Sequence, residues 1–358
     1  MMEETAQSKS AVINADYEFE LFKEEIGVTS MERIQRNRNS TEFMFFFMNK
    51  AQDLRLFTRQ VYSSEYLDYL RGLGLVVPRL TDQGASFNWY GQLLDIPKEK
   101  RLNSKLWSYQ LLNQLVLNPS ENYIFQTKQE VAGILSQSPI KKWLLKSPYL
   151  MSGLNFHIIE YADQIPAIDS PHILEPFFNR VLDAALYYSP LSHEKFFYIS
   201  KTTPDCRYRG GVIFQNDQGL TDYVEAKGLT AVFEKLKTGS LKILDVLLEE
   251  KLQQPLTVDS FIFEDDQGFG FHPGCEINYR QNMGGLLASL RTFLPASGVG
   301  EFFLVQNNSH MGRPMPYSKD SKTGVIYLSP PESDALAVFF CGKNLKEIER
   351  MQQAFFIR

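Results

Sequence analysis

From Lys141 to about Gln215, and again from Val258 to Asn278, the apolar residues of this chain leave helical spacing and gather into short runs separated by turn residues. Runs of that kind read as strands, so the middle of the chain is expected to be mostly antiparallel sheet. They cover residues 143–146, 172–178, 181–189, 196–200 and 208–215, then 258–264 and 270–278. Asn216, Asp217, Gln218 and Gly219 read as a hairpin turn, and Asp265 to Gly268 as an acidic one. Between the two groups, residues 229–254 read as helix from Val232, Phe233, Leu236, Leu241, Leu244, Leu248 and Leu252, with a break expected at Thr238, Gly239 and Ser240. A further helix is expected at about 284–293, and a tail of short strands and turns from Gly300.

Ahead of Lys141 the pattern is different. Residues 42–48 form an apolar, aromatic run that reads as a strand, and Leu54, Leu56, Phe57, Val61, Tyr66, Leu67 and Leu70 follow at roughly helical spacing. Gly72 and Gly74 close that helix, and residues 75–78 resume as a short buried strand, which makes a βαβ-type unit. Asn103 and Ser104 offer a cap for a helix carrying Leu106, Trp107, Leu111, Leu112 and Leu115.

With 358 residues, 44% apolar, the chain is long enough for two or three units with sizeable cores. Lys and Arg number 37 against 42 Asp and Glu, a net charge of −5 without a basic block, so neither nucleic acid nor an anionic membrane is expected as a partner. Cys206, Cys275 and Cys341 are odd in number and widely spaced, which fits a reducing compartment. The apolar runs at 43–48 and 335–341 fall far short of the ~18 residues of a membrane span, and the polar start carries Glu3 and Glu4. The expected location is cytoplasmic, with export by a route other than Sec left open.

The chemistry is concentrated in Cys275-Glu276-Ile277-Asn278-Tyr279-Arg280. On a strand, alternate side chains share a face, so Glu276, Asn278 and Arg280 are expected on one side and Cys275, Ile277 and Tyr279 on the other. A carboxylate and an amide oxygen suit Mg²⁺, and an adjacent guanidinium suits a transferring phosphoryl group. A solvated strand face with a surface ion pair has the same alternation. Trp143 to Lys146 is an apolar strand ending in a lysine ahead of a loop, Ser147 to Gly153, where an ammonium and backbone N–H groups would meet phosphates; for that residue alone a plain surface lysine at a strand end is the commoner reading. Glu175, Pro176, Phe177 and Phe178 interrupt an apolar strand with a residue that lacks a ladder donor, as at a hinge or edge. Cys275 is read as core packing. The five histidines lack metal-ligand spacing, and no Gly-x-Ser-x-Gly elbow occurs.

In this order the features resemble the ATP-grasp superfamily, over about residues 30–300. They are Asn103-Ser104-Lys105 opening a helix, Lys146 ending a strand, the Glu175 hinge, and the late Asp259, Glu276, Asn278 and Arg280. The group most similar in feel carries a Lys-x-Pro-x-x-x-Ser-Gly loop and a Glu-Ile-Asn-x-Arg-x-x-Met-Gly signature, here ending Gln281-Asn282-Met283-Gly284. The resemblance implies an α/β and α+β fold of ATP-grasp architecture: an N-terminal βαβ-type unit, then two α+β subdomains enclosing a nucleotide cleft. Its implied segments are a tail at 1–29, a pre-ATP-grasp unit at 30–102, a subdomain with Lys-loop and hinge at 103–190, a metal-site subdomain at 191–295, and a β-rich extension at 296–358.

By the same resemblance, Lys105 and Lys146 would contact ATP phosphates, Ser152 and Gly153 would lie in the phosphate loop, and Glu175, Pro176, Phe177 and Phe178 would hold adenine. Asp183 would bind ribose. Asp259, Glu276 and Asn278 would bind Mg²⁺, or Mn²⁺ in its place, with Arg280 near the γ-phosphate and Arg209 a further phosphate ligand. Lys146 and Arg280 would be catalytic. The implied activity is ATP-dependent ligation of a small-molecule or peptide carboxylate to an amine or thiol through an acyl phosphate. Leu150 and Met151 depart from the family's small-residue loop and favour an alternative, a nucleotide-binding regulatory protein without turnover.

Overall fold

The computed structural model describes residues 9–26, 38–119, 123–149, 156–168, 170–204, 206–306, 315–333 and 335–356. Strands β1 (Ser10–Val12), β2 (Arg55–Phe57), β3 (Arg79–Thr81) and β4 (Phe87–Asn88) form a sheet of order β3-β2-β1-β4, and each pair in it is parallel. The helix Ser64–Gly72 crosses from β2 to β3; Ser63 caps it by accepting from the Tyr66 N–H at 3.2 Å, and Gly74 follows at φ +88°.

Two expectations change here. Residues 10–12, placed in a tail, supply a strand in the middle of this sheet. The aromatic run forms the helix Phe43–Met48, not a strand, and Phe43, Met44, Phe45, Phe46 and Phe47 are all buried. A run that is apolar on every side fits a buried strand and a buried helix equally, so periodicity could not separate them. The strand positions fall to Arg55–Phe57 and Arg79–Thr81, each a little beyond the apolar run that suggested it.

A small antiparallel sheet follows, of β5 (Tyr123–Phe125), β6 (Trp143–Lys146), β7 (Phe156–Ile159) and β8 (His172–Pro176) in the order β5-β8-β6-β7. The helix Lys128–Gln137, started by a Thr127/Glu130 capping box, covers it through Val131.

The chain leaves the small sheet at Pro176 and enters the large one at Asn179. The large sheet holds β9 (Asn179–Tyr188), β10 (Lys195–Thr202), β11 (Tyr208–Phe214), β12 (Leu256–Asp265), β13 (Gly268–Tyr279), β14 (Val299–Gln306), β15 (Gly324–Tyr327) and β16 (Ala335–Gly342). Its order is β13-β12-β9-β10-β11-β14-β16-β15, antiparallel throughout. Alternation along β9 divides its faces: Ala185 and Tyr187 pack toward the N-terminal unit and the helix Met283–Leu290, while Leu182 and Ala184 pack toward helices on the opposite side. The latter helices are Asp217–Glu225, Thr230–Leu248 and Leu345–Phe355.

Residues 216–219 are not a hairpin turn: the Asn216 side chain accepts from the Gly219 N–H at 3.0 Å and starts a helix. The helix Thr230–Leu248 runs unbroken through residues 238–240. The architecture, a βαβ-type unit followed by two α+β parts around a cleft, is the one that the ATP-grasp resemblance implies.

Candidate functional site

Every residue of β6 is buried, Lys146 included. An ammonium placed there needs a partner, and Lys146 forms an ion pair with Glu175 of the neighbouring strand β8, their side chains 6% and 5% exposed. The Lys146 ammonium also lies 5.7 Å from the centroid of the Phe156 ring on β7, and that of Lys105 lies 5.8 Å from the same ring.

On the large sheet, Asp259 of β12 stands directly opposite Glu276 of β13. Just past this pair the register shifts: Phe261 faces His272, so Pro273, Gly274 and Cys275 stand against Ser260 alone. The bulge is fixed from behind by the helix Thr230–Leu248. Ser240 donates its hydroxyl to the Pro273 carbonyl at 2.7 Å, and a Cβ on Gly239 would lie 2.6 Å from the Pro273 Cβ. Residues 238–240, expected to break the helix, are its docking point on the bulge. The bulge also re-aims Cys275, so that both Cys275 and Glu276 line the cavity, against the expectation of opposite sides. Burial pushes the Cys275 thiol up to about 12, so it stays protonated near neutral pH.

The polar side chains interlock. Asn278 donates from Nδ2 to Asp259 at 2.9 Å and accepts from Arg280 at Oδ1 at 2.8 Å. Arg280 is also held by Glu18 of the N-terminal unit, from Nε at 2.9 Å and Nη2 at 2.6 Å, and lies 5.5 Å from the centroid of Tyr90. Glu276 pairs with Lys105 at 3.0 Å. Asp183 pairs with Arg180 at 3.3 Å and accepts from Thr202, and the Arg180 guanidinium stacks 3.9 Å from the Phe261 ring centroid. Burial, then the charge of Glu276, pushes the Asp259 carboxyl up to about 7.

These groups surround a cavity of about 540 Å³ between the small sheet, the large sheet and the N-terminal unit. Of the residues expected in the site, Lys146, Asp183, Asp259, Glu276, Asn278 and Arg280 line it. Lys105 and Glu175 lie one contact behind, through Glu276 and Lys146. Pro176, Phe177 and Phe178 do not line it. The Phe178 ring packs 4.4 Å from Phe263 and 5.5 Å from Phe261, which joins the end of β8 to the large sheet, whereas Phe177 lies under Lys142 beside the small sheet. Arg209 is exposed on β11 and does not line the cavity, although Arg207 and Tyr208 beside it do. Ser152 and Gly153, with Leu150 and Met151, lie outside the described residues.

Sequence reading missed Arg180, Thr202, Tyr90 and Glu18. Arg180 three residues before Asp183 was a usable signal, and Pro273-Gly274 inside an apolar run was a signal for the bulge. Glu18, 262 positions from Arg280, had none.

Among the described residues no three His, Cys, Asp or Glu side chains gather where one metal ion could be held. The donor set at Asp259 is two facing carboxylates and an amide. Asp259 and Glu276 face each other across the β12–β13 pair, and a divalent cation would relieve that facing of two carboxylates, so the pair fits Mg²⁺. The Asn278 oxygen joins only by giving up Arg280.

No protein-family model matches the chain. Nor does any curated protein match it in sequence. Solved structures similar to it include an ADP complex of N5-carboxyaminoimidazole ribonucleotide synthetase, with 9% identity over 87% of this chain and 94% of that one and a TM-score of 0.49. The biotin carboxylase domain of Hydrogenobacter thermophilus 2-oxoglutarate carboxylase, complexed with MgADP and bicarbonate, has 11% identity, 97% and 89% coverage and a TM-score of 0.48. N5-carboxyaminoimidazole synthase of Aspergillus clavatus, with ADP and its aminoimidazole ribonucleotide, has 11%, 97% and 97%, and 0.46. At such identities none of them assigns an activity to this chain. Among the described residues, no helix is long and apolar enough to cross a membrane.

Proposed function

We propose that this chain is an ATP-dependent ligase of the ATP-grasp kind, joining a carboxylate to an amine or thiol through an acyl phosphate. One observation carries the reading. A single cavity is lined by a buried ammonium from the small sheet, Lys146, and by facing carboxylates with a guanidinium from the large sheet, Asp259, Glu276 and Arg280. Phosphoryl transfer needs this division, since positive groups must take up charge on the phosphates while carboxylates hold the cation.

In the proposed reaction a substrate carboxylate oxygen bonds to the γ-phosphorus as the bond to the ADP oxygen breaks. The amine or thiol then bonds to the acyl carbon, phosphate leaves, and the nucleophile's proton passes to phosphate or water. Lys146 and Arg280 stabilise the transferring group, and Asp183 is proposed for the ribose hydroxyls. Asp259 and Glu276 would hold Mg²⁺ or Mn²⁺, with the Asn278 oxygen a further donor if freed from Arg280, and the cation would supply charge neutralisation for the phosphates. The mechanism requires no protein nucleophile, and the protonated Cys275 supplies none.

A second reading, nucleotide binding without turnover, is favoured by the internal neutralisation of the site, with Glu276 on Lys105 and Arg280 on Glu18. ADP release from ATP and Mg²⁺ with pooled carboxylates and amines separates the two. The ligase reading expects release that needs both pools. Thermal stabilisation by ATP without release supports the second reading, and isothermal titration with no ATP or ADP binding overturns both.

A further inference from the structure

A second cavity, open and of about 520 Å³, lies on the N-terminal sheet, lined by Arg55, Thr58, Gln60, Arg79, Leu80, Thr81, Asp82 and Gln83. Arg55 of β2 and Arg79 of β3 are register partners, so their side chains leave the same face of a parallel pair, side by side. Like charges so placed destabilise a sheet unless something neutralises them. Among the described residues neither arginine makes an ion pair, and Asp82 is the one carboxylate in the lining.

The face they occupy is unusual for a parallel sheet, which is ordinarily covered on both sides. Leu56 and Leu80, pointing the other way, pack in the large core, whereas Phe57, on the arginine side, belongs to no core cluster among the described residues. Besides Leu80, the remaining lining is two threonines and two glutamines, donors and acceptors suited to hydroxyl groups.

We propose that this cavity is a second binding site, for a small hydroxylated molecule carrying a phosphate or diphosphate group. Two planar guanidiniums offer paired donors to three or more oxygens, and a phosphate carries close to the two negative charges needed to balance them; one carboxylate carries one. The site is separate from the ATP cavity and does not depend on the ligase reading. It is linked to that cavity through Glu42, which accepts from Thr58 at 2.6 Å, Gln60 at 2.9 Å and Tyr62 at 2.8 Å, and through the Asn39 carbonyl, which accepts from Gln60 at 2.9 Å, next to Ser40 and Thr41 of the main cavity.

The test uses the full chain with Lys146→Met and Glu175→Gln in place, so that the ATP cavity is disabled, and inorganic pyrophosphate as the probe. Isothermal titration is expected to show binding that weakens with salt and drops at least tenfold in Arg55→Gln and in Arg79→Gln, both added to that background. Thermal unfolding is expected not to fall in either arginine variant, since Arg79 is exposed, Arg55 half-buried, and losing one of two facing like charges relieves repulsion. Absence of binding at about 10 mM pyrophosphate, or binding that neither arginine variant alters, overturns the proposal.

Discussion

Asp259 is half-buried, faces another carboxylate, and has its carboxyl raised by desolvation from an ordinary 3.8 to about 7. Its folded form therefore keeps a proton that the unfolded chain has released, and stability from this group is fully present below about pH 4 and is lost as pH rises toward about 7. The slope from this group alone is at most about 1.4 kcal/mol per pH unit. Urea denaturation across that range should show wild type declining relative to Asp259→Asn, and a parallel pair of profiles would mean that the carboxyl is not raised. Glu276→Gln is a harsher change than sequence suggests. On the strand pattern alone it removes a metal ligand with little effect on folding, but Glu276 also faces Lys105, which is almost wholly buried. The substitution should lower ADP release by orders of magnitude and cost up to about 3 kcal/mol of stability. Full turnover with unchanged Mg²⁺ dependence would remove Glu276 from the metal site.

At the scale of elements, β6 and β8 are joined through the pair Lys146 and Glu175, and removing one partner leaves the other charge buried. Lys146→Ala alone should cost about 3–5 kcal/mol, which would confuse any binding measurement. Lys146→Met with Glu175→Gln replaces the charged pair by groups of similar size, so stability should recover while ATP affinity stays at least tenfold below that of Lys235→Ala, measured by titration. Equal affinities would make Lys146 a structural lysine only. Strands were the legible part of the sequence: residues 143–146 match β6 in full, and β9 to β13 fall within a few residues of their apolar runs. Alternation specifies a strand wherever one face is buried. The helix Phe43–Met48 was not legible, since its core contacts leave no polar face to set a period. The bulge at residues 273–275 was hidden for a related reason. It is fixed by Ser240 and Gly239 of a helix more than thirty positions earlier, and no local pattern encodes such a contact.

Across the whole molecule, the described residues of the N-terminal unit and the large sheet are one packing unit. Ala11, Ile13, Tyr17, Phe43 to Phe47 and Leu56 share a core with Ala185, Tyr198, Ile213, Phe302 and Phe339. Glu18 adds a buried charge contact to Arg280, the residue that also orients Asn278 in the cavity. A segment boundary at residue 102 would therefore cut through a core, although the helix Lys105–Gln114 begins just beyond it. A chain beginning at residue 103 should expose this aromatic face, bind a hydrophobic dye and aggregate instead of folding as an independent pair of subdomains. The intact chain should unfold in a single transition in which aromatic near-ultraviolet and far-ultraviolet signals coincide. Two separated transitions, or a soluble and cooperatively folded 103–358 fragment, would show that the N-terminal unit docks on a finished sheet. Arg280 would then be positioned by β13 alone, and Glu18→Gln would leave nucleotide binding unchanged.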